Sequence, residues 1–499
     1  MAVRGRPPSP HEVNLVHVSP ATLSGVIHRW RNDPDLAQTV RDLHAEILLV
    51  RTDAEFIPPS IGALQGFPPA QVASELAEAP LRLIEHVVLS GQPYTEILTT
   101  EAVLATPLVG AAYGPPVDPE DPSWQVSRWP DGRPAAGILS STTLWNRHMS
   151  ANTSFHRSRA ALIVSGLVCD DLSQRAEAGT LDPARAEDAV KTDPTCVACH
   201  AVLDPVAGAM WGFQRYVVPH EIRSAHAVGC DGPDAPFGCY PLQFWDPTLI
   251  ADRAPAGLPP PAWYGQPVLD LAALGQAIAD DPRFADCTAR RFWGYLTRTD
   301  PAEVPEDLVI ELSDVLIDSG WDAQTLMLTI AAHPRFAPGS PDAPAVAIRP
   351  RQAERTLHHL TGATWDAQVG DHGSIPLATT DRYGFRTLLG GLDGWDIVRS
   401  EPGALPTREL ALEWMAEEAA DVGVDTDLLP DGPVTDEKAA RTALARLHLV
   451  ILAEVVDPKS ATVDRDWALL QTLLADSPPR LAWRGVLAAF LQHPRLAVQ

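Results

Sequence analysis

The chain has 499 residues, and its 38 Lys and Arg against 64 Asp and Glu give a formal net charge of −26. This charge repels nucleic acids and anionic membrane surfaces, so neither is expected as a partner. The length predicts about two to four domains. The 48 prolines predict short helices joined by ordered loops, and no apolar run approaches the ~20 residues of a membrane span.

The N-terminal region, residues 1–68, is predicted to be a tail followed by one amphipathic helix. Its apolar residues recur at helical spacing: Leu36, Val40, Leu43, Ile47 and Leu48. A stronger apolar stripe starts at Pro69 and ends at Ser90, with Pro80 expected to kink or split the helix. Residues 106–136 are rich in Pro, Gly and Trp and predict an irregular loop.

A helix predicted over residues 157–169 precedes the most informative motif of the chain. Residues 196–200 are Cys-Val-Ala-Cys-His. Each thiol of such a motif can add to a haem vinyl group as a thioether, and the adjacent imidazole can bind the iron axially. The motif therefore predicts one covalent haem c, held by Cys196, Cys199 and His200.

Three other interpretations of this motif compete with haem attachment. A thiol oxidoreductase would place Cys-x-x-Cys after a strand in a βαβ unit, and no apolar strand precedes the motif here. A structural zinc site would require a second ligand pair, and the chain has no other Cys-x-x-Cys. A chance match is uncommon, because the chain has only six cysteines.

The four other cysteines form an even set that permits three pairings. Cys230 and Cys239 bracket a turn-rich loop that brings its own ends together, which predicts a local disulfide. Cys169 and Cys287 would then form a long-range disulfide in an oxidising compartment; two buried free thiols are the alternative. We expect a periplasmic or extracellular protein, although residues 1–7 lack the apolar core of an export signal.

The rest of the chain is predicted to form a long irregular segment followed by helices. Residues 219–267 have few periodic stretches, whereas an apolar face predicts a helix over 305–318. We predict a mainly α fold with a multi-helix cytochrome c-like core, long Pro/Gly-rich loops and a second helical module. The predicted parts are the N-terminal region (1–68), a helical haem-binding domain (69–337), a linker (338–350) and a C-terminal helical module (351–499).

The haem segment also resembles that of a known family. Residues 193–200, Asp-Pro-Thr-Cys-Val-Ala-Cys-His, and residues 204–209, Asp-Pro-Val-Ala-Gly-Ala, resemble the haem segment of large exported cytochrome c-like proteins of unknown function. Those proteins are common in planctomycetes and myxobacteria. Recurrent blocks of the family are similar, in the same order, to residues 93–99, 136–139, 156–160 and 383–394. The resemblance implies an exported, mostly helical protein with one attached haem, and electron transfer as the default function.

The ligand on the second face of the iron is less constrained. His200 is the proximal ligand by its position, and Met149 is the leading distal candidate, with His148 and His156 as alternatives. Met210 is expected to pack in the haem pocket. A methionine ligand would raise the reduction potential, a histidine would lower it, and an open site would permit catalysis.

The primary functional hypothesis is an exported monohaem c-type cytochrome that exchanges electrons with a redox partner protein, as a free carrier or as a subunit of a larger oxidoreductase. One alternative is a peroxidase-like haem enzyme with an open distal site and His148 or His156 as its acid–base group. Another is a surface- or polymer-binding protein with a structural haem, in which Trp395 and Trp414 contact the partner.

Overall fold

The computed structural model describes residues 3–52, 57–150, 155–172, 186–216, 218–230, 238–336, 348–368, 374–380, 383–399 and 405–497. Within these ranges the chain forms 22 α-helices and three small two-stranded antiparallel sheets. The prediction of a mainly α fold is confirmed. Most of the predicted linker, residues 338–347, lies outside the described residues.

The helices of the first half of the chain are α1 (Pro10–Val18), α2 (Leu23–Arg29), α3 (Pro34–Leu48), α4 (Pro69–Leu89), α5 (Glu96–Thr99), α6 (Pro107–Tyr113), α7 (Thr142–Arg147), α8 (Arg157–Val168), α9 (Ala186–Thr192), α10 (Pro194–Ala209) and α11 (Pro219–Val228). Those of the second half are α12 (Leu271–Ala279), α13 (Pro282–Thr297), α14 (Glu306–Asp318), α15 (Ala323–Ala332), α16 (Pro350–Thr361), α17 (Phe385–Leu388), α18 (Pro406–Gly423), α19 (Glu437–Ile451), α20 (Ala461–Asp476), α21 (Pro479–Leu491) and α22 (Pro494–Ala497).

The strands pair with near neighbours in sequence. The pairs are β1 (Val103–Ala105) with β2 (Gln125–Ser127), β3 (Ala262–Trp263) with β4 (Gln266–Pro267), and β5 (Asp366–Gln368) with β6 (Ser374–Pro376). Each sheet has only two or three residues per strand, so the sheets fasten loops and the cores are built by helices.

Several local predictions need correction. Helix α4 is not split at Pro80: it continues through this proline, and the turns on both sides bury apolar residues such as Leu76 and Ile84. The segment predicted as an irregular loop contains α6, which begins where the Thr106 hydroxyl accepts from the amide of Val109 (3.3 Å). A helix of seven residues is too short for its period to be recognised in the sequence.

Contacts divide the chain into two compact units. The C-terminal unit comprises Met1–Asp42, Phe292–Val304 and Leu326–Gln499, and the haem-motif unit comprises Leu43–Arg291 and Pro305–Thr325. The N-terminal segment thus folds with the C-terminal helices: the hydroxyl of Thr356 in α16 donates to the carbonyl oxygen of Gly5 at 2.9 Å. The core of this unit includes Trp483, which is fully buried and donates its indole N–H to the carbonyl of Val434 (2.8 Å).

A buried arginine organises the haem-motif unit. Arg159 in α8 is fully buried, and burial lowers its pKa to about 9. Its guanidinium donates to Nδ1 of the His156 imidazole (2.9 Å) and to four backbone carbonyls. These carbonyls belong to His148 (2.8 Å), Trp145 (3.1 Å), Gln214 (2.9 Å) and Arg215 (3.1 Å). The Arg159 side chain therefore joins α8 to residues 145–148 at the end of α7 and to residues 214–215, which follow α10.

We predict that Arg159→Met lowers the free energy of unfolding by about 3 kcal/mol or more, because buried carbonyls lose their donor at about 1–3 kcal/mol each. Urea denaturation followed by circular dichroism measures this change. The control is Arg223→Ala, which removes an exposed arginine from α11 of the same unit and should change stability by about 0.5 kcal/mol at most. Equal effects of the two substitutions would contradict the role of Arg159.

Candidate functional site

The Cys-x-x-Cys-His motif lies in the first turns of α10. The helix starts because the Asp193 carboxylate accepts from the amide of Thr195 (2.9 Å) and Pro194 occupies the first helical position. Each residue advances about 100° around a helix, so Cys196, Cys199 and His200 fall within an arc of about 100°. Both thiols and the imidazole therefore share one stripe of α10.

This stripe is partly open to solvent, whereas the other end of α10 is anchored. Cys196 and Cys199 are half-buried, and the His200 side chain is 21% exposed. The four residues from Val206 to Ala209 are buried. At Gly208 an added Cβ would lie 3.2 Å from the carbonyl oxygen of Pro259, so the helix approaches that segment closely. The stripe is accordingly the more accessible part of α10, and the packing of the helix depends on its other end.

The imidazole of His200 is oriented by a carboxylate. Nδ1 of His200 lies 3.0 Å from Oδ1 of Asp204, one helical turn further along α10. Arg157 at the start of α8 donates to both oxygens of Asp204, from Nε at 2.6 Å and from Nη2 at 3.0 Å. Burial acts to raise the pKa of Asp204, but the hydrogen bonds from His200 and Arg157 outweigh it and hold the pKa below its usual range.

The protonation of His200 follows from these contacts. An ionised Asp204 can only accept hydrogen bonds, so Nδ1 of His200 carries a proton, and in the neutral form of the ring Nε2 keeps its lone pair. A carboxylate on the outer nitrogen is the usual support of a metal-binding histidine. His200 thus presents the nitrogen that an axial iron ligand requires.

The other two candidate histidines have the opposite arrangement. His156 is buried, and its Nδ1 accepts from Arg159, so Nε2 must carry the proton of the neutral ring. Burial, with the charges of Arg159 and Arg215, lowers the pKa of His156 well below its ordinary value. Nε2 of His148 donates to the carbonyl of Leu48 (2.8 Å), and burial lowers the pKa of His148 to about 3. In this arrangement neither ring offers a free Nε2 lone pair.

The two methionines differ in accessibility. Met210 is fully buried at the end of α10, where its amide donates to the carbonyl of Ala207 (3.1 Å). Met149 is 39% exposed, and its carbonyl accepts from the hydroxyl of Ser158 in α8 (3.4 Å). Met149 therefore lies beside the start of α8, the helix whose Arg157 binds Asp204, and the residue is partly exposed.

The structure pairs four of the cysteines and leaves two free. Disulfides join Cys169 to Cys287, with a Cα–Cα distance of 5.2 Å, and Cys230 to Cys239, with a distance of 5.5 Å. Cys196 and Cys199 are the free cysteines. Since Cys169 ends α8, this helix is held by a disulfide at one end and by Asp204 at the other.

A cavity of about 320 Å³ adjoins the end of α10 and is lined by His156, Trp211, Arg215, Glu221 and Asp252, among others. Trp211 is covered by the ring of Phe155 (centroids 5.8 Å apart) and by the guanidinium of Arg215 (5.1 Å from the ring centroid). Sequence reasoning did not find this cluster.

Sequence reasoning also missed the roles of Asp204 and Arg157. Asp204 follows His200 by four residues, which places both on one helix face, so this spacing could have identified it. Arg157 lies 47 residues before Asp204, and no local pattern links the two.

Among the described residues, no group of three or more His, Cys, Asp and Glu is arranged to hold a metal ion. The zinc interpretation of Cys196 and Cys199 thus finds no ligand set in that part of the chain. None of the helices in the described ranges has the length and apolar character that crossing a membrane requires.

The chain matches no protein-family model, no curated protein and no solved structure.

We predict that His156 makes the protein less stable in acid. Below about pH 6.5 the unfolded chain protonates this imidazole while the buried native ring stays neutral, so the free energy of unfolding falls by up to about 1.4 kcal/mol per pH unit from this group. His156→Gln should remove this share of the slope, measured by urea unfolding at pH 7, 6 and 5. The matched control, exposed His220→Gln, should keep it. An unchanged slope in the His156 variant would refute the assignment.

Proposed function

We propose that the protein is an exported monohaem c-type cytochrome, with haem c joined to Cys196 and Cys199 and ligated by His200, that transfers electrons to or from a redox partner protein. The observation that carries the proposal is the stripe on α10, where two free thiols lie beside an imidazole whose Nδ1 is held by Asp204. When bound, haem c supplies a one-electron couple at iron. The likeness to large exported cytochrome c-like proteins leads to the same proposal.

Asp204 and Arg157 act on His200. The carboxylate holds the Nδ1 proton, fixes the plane of the ring and makes Nε2 a stronger electron donor. A stronger donor favours the oxidised state of a bound iron, which lowers its reduction potential. Arg157 keeps Asp204 ionised and in place, so it is a positioning residue for the axial ligand.

The surroundings of the stripe are suited to electron transfer with another protein. The partly exposed thiols and imidazole would leave part of a bound group near solvent. The net charge of −26 would attract a basic partner and accelerate its association.

The cysteine pattern supports an exported protein. Two disulfides are expected in an oxidising compartment. Two further thiols three residues apart would also be open to oxidation there. Thioether bonds to haem would explain why Cys196 and Cys199 form no disulfide.

Two alternatives receive different support. The peroxidase-like reaction needs a distal group that can accept a proton. In the neutral ring of His156 one nitrogen accepts from Arg159 and the other carries the proton, while Nε2 of His148 donates to a backbone carbonyl and burial lowers the pKa of this ring to about 3. The surface-binding alternative has a specific observation in its favour, since Trp395 and Trp414 are 70% and 47% exposed.

We predict covalent haem attachment when the full chain is produced with a c-type maturation system. Haem staining after denaturing electrophoresis should remain on the polypeptide and disappear in the double variant Cys196→Ala/Cys199→Ala. The control variant, Cys230→Ala/Cys239→Ala, removes a different cysteine pair and should retain the stain.

Thiol titration of the unfolded, unreduced chain gives a second readout. It should find two reactive thiols without haem and none with haem, since the other four cysteines are in disulfides. Absence of stain in the wild type, or its persistence in the Cys196/Cys199 variant, would refute the proposal.

We also predict that Met149 ligates the iron opposite His200. Its thioether would give the oxidised protein a weak charge-transfer band at the red end of the visible spectrum and a higher potential than a second histidine would. Met149→Ala should abolish the band and keep the thioethers.

The control for this variant is Met210→Ala. Because Met210 is fully buried, the substitution should cost about 2–5 kcal/mol of stability while the band persists. A band lost only in the Met210 variant would reverse the two roles, and a wild-type spectrum without the band would rule out methionine ligation.

A further inference from the structure

We propose that the C-terminal unit contains a binding site for a small molecule that carries a phosphate or diphosphate group. The site is a cavity of about 520 Å³ formed by the N-terminal segment, the start of α3 and one face of α16. All of its lining residues belong to the C-terminal unit, so this proposal does not depend on haem. Its volume falls within the range of about 300–1,000 Å³ of small-molecule sites.

The walls of this cavity have the opposite charge to the chain as a whole. The chain carries 26 more acidic than basic residues, yet five arginines and two histidines line the cavity beside only two carboxylates. The arginines are Arg4, Arg6, Arg41, Arg351 and Arg355. Such a concentration of guanidinium groups in an acidic protein indicates an anionic ligand.

Two of these arginines are fixed in place from behind. Arg4 donates to Asp33 and to Glu12 (3.0 Å each), and its guanidinium lies 4.4 Å from the centroid of Trp30. Arg6 donates to Asp33 (2.7 Å) and to Asp35. Because carboxylates already order both side chains, an incoming anion would not have to restrict them, which favours binding.

Arg355 has buried donors that a ligand could satisfy. Its Nε, Nη1 and Nη2 atoms are buried and make no hydrogen bond, although Nη2 forms an ion pair with Asp42 at 3.1 Å. The guanidinium lies directly against Gly5, where an added Cβ would be 2.4 Å from Nη2. Buried donors without acceptors destabilise a protein, so an oxyanion that reaches Nε or Nη1 of Arg355 would improve the hydrogen bonding of this side chain.

The number of guanidiniums favours phosphate over a simple carboxylate. A phosphate monoester carries a charge of about −1.5 to −2 and three strong acceptor oxygens, whereas a carboxylate carries one charge on two oxygens. The planar fork of arginine matches phosphate oxygens in pairs. Three of the five arginines already pair with carboxylates, so the lining fits a single phosphate or diphosphate group rather than a longer polyanion.

Isothermal titration of the full chain with pyrophosphate at constant ionic strength tests the site. We expect saturable binding with one site per chain and a roughly tenfold or greater loss of affinity in Arg355→Ala, because a charge-assisted hydrogen bond is removed. Arg355→Lys keeps the charge without the fork and should fall between the two. The matched control is Arg465→Ala, an exposed arginine of the same unit, which should bind like the wild type.

Three outcomes would overturn the proposal: no saturable binding by the wild type, unchanged affinity in a folded Arg355→Ala variant, or tighter binding of citrate than of pyrophosphate. Circular dichroism establishes folding for each variant. If Arg355→Ala does not fold, Arg6→Ala provides the same test, since the Arg6 side chain is 22% exposed; its affinity should also fall, and an unchanged value would refute the site.

Discussion

The haem-motif unit depends on a positive charge that is buried among neutral acceptors. The guanidinium of Arg159 donates to four backbone carbonyls and an imidazole. A buried charge is expensive unless its donors are satisfied, so these acceptors must be held where the guanidinium needs them. Segments 145–148 and 214–215 are consequently locked to α8, and α10 lies between them in sequence.

A second arginine of α8, Arg157, connects this helix to the candidate site through Asp204. Arg157 and Arg159 are two residues apart, and one binds Asp204 while the other binds His156. The first contact places a proton on Nδ1 of His200, and the second places a proton on Nε2 of His156. Two neighbouring arginines thus assign opposite tautomers to two histidines, and only the tautomer of His200 leaves Nε2 open to a metal.

The sequence was sufficient where the signal is local. The long apolar stripe of α4, the helix over 305–318 and the turn-rich loop between Cys230 and Cys239 each depend on nearby residues. It was insufficient for α6, because a helix of seven residues is too short to show a helical period in the sequence. The partners of Arg159 lie up to 56 residues away, and Gly5 contacts Thr356 across 351 residues. Periodicity contains no information about such pairs, because it describes which face is buried and not what covers it.

The opposing charges of the chain and of the cavity in the C-terminal unit act over different distances. At physiological ionic strength charges are screened beyond about 8 Å, so a small anion inside the cavity interacts mainly with the guanidiniums around it. A long polyanion would extend beyond the cavity and meet a surface with a net charge of −26. The acidic surface would therefore exclude nucleic acids from a site that is otherwise suited to phosphate. The same surface charge would favour a basic protein at the partly exposed stripe of α10, so one charge distribution can serve both proposed interactions.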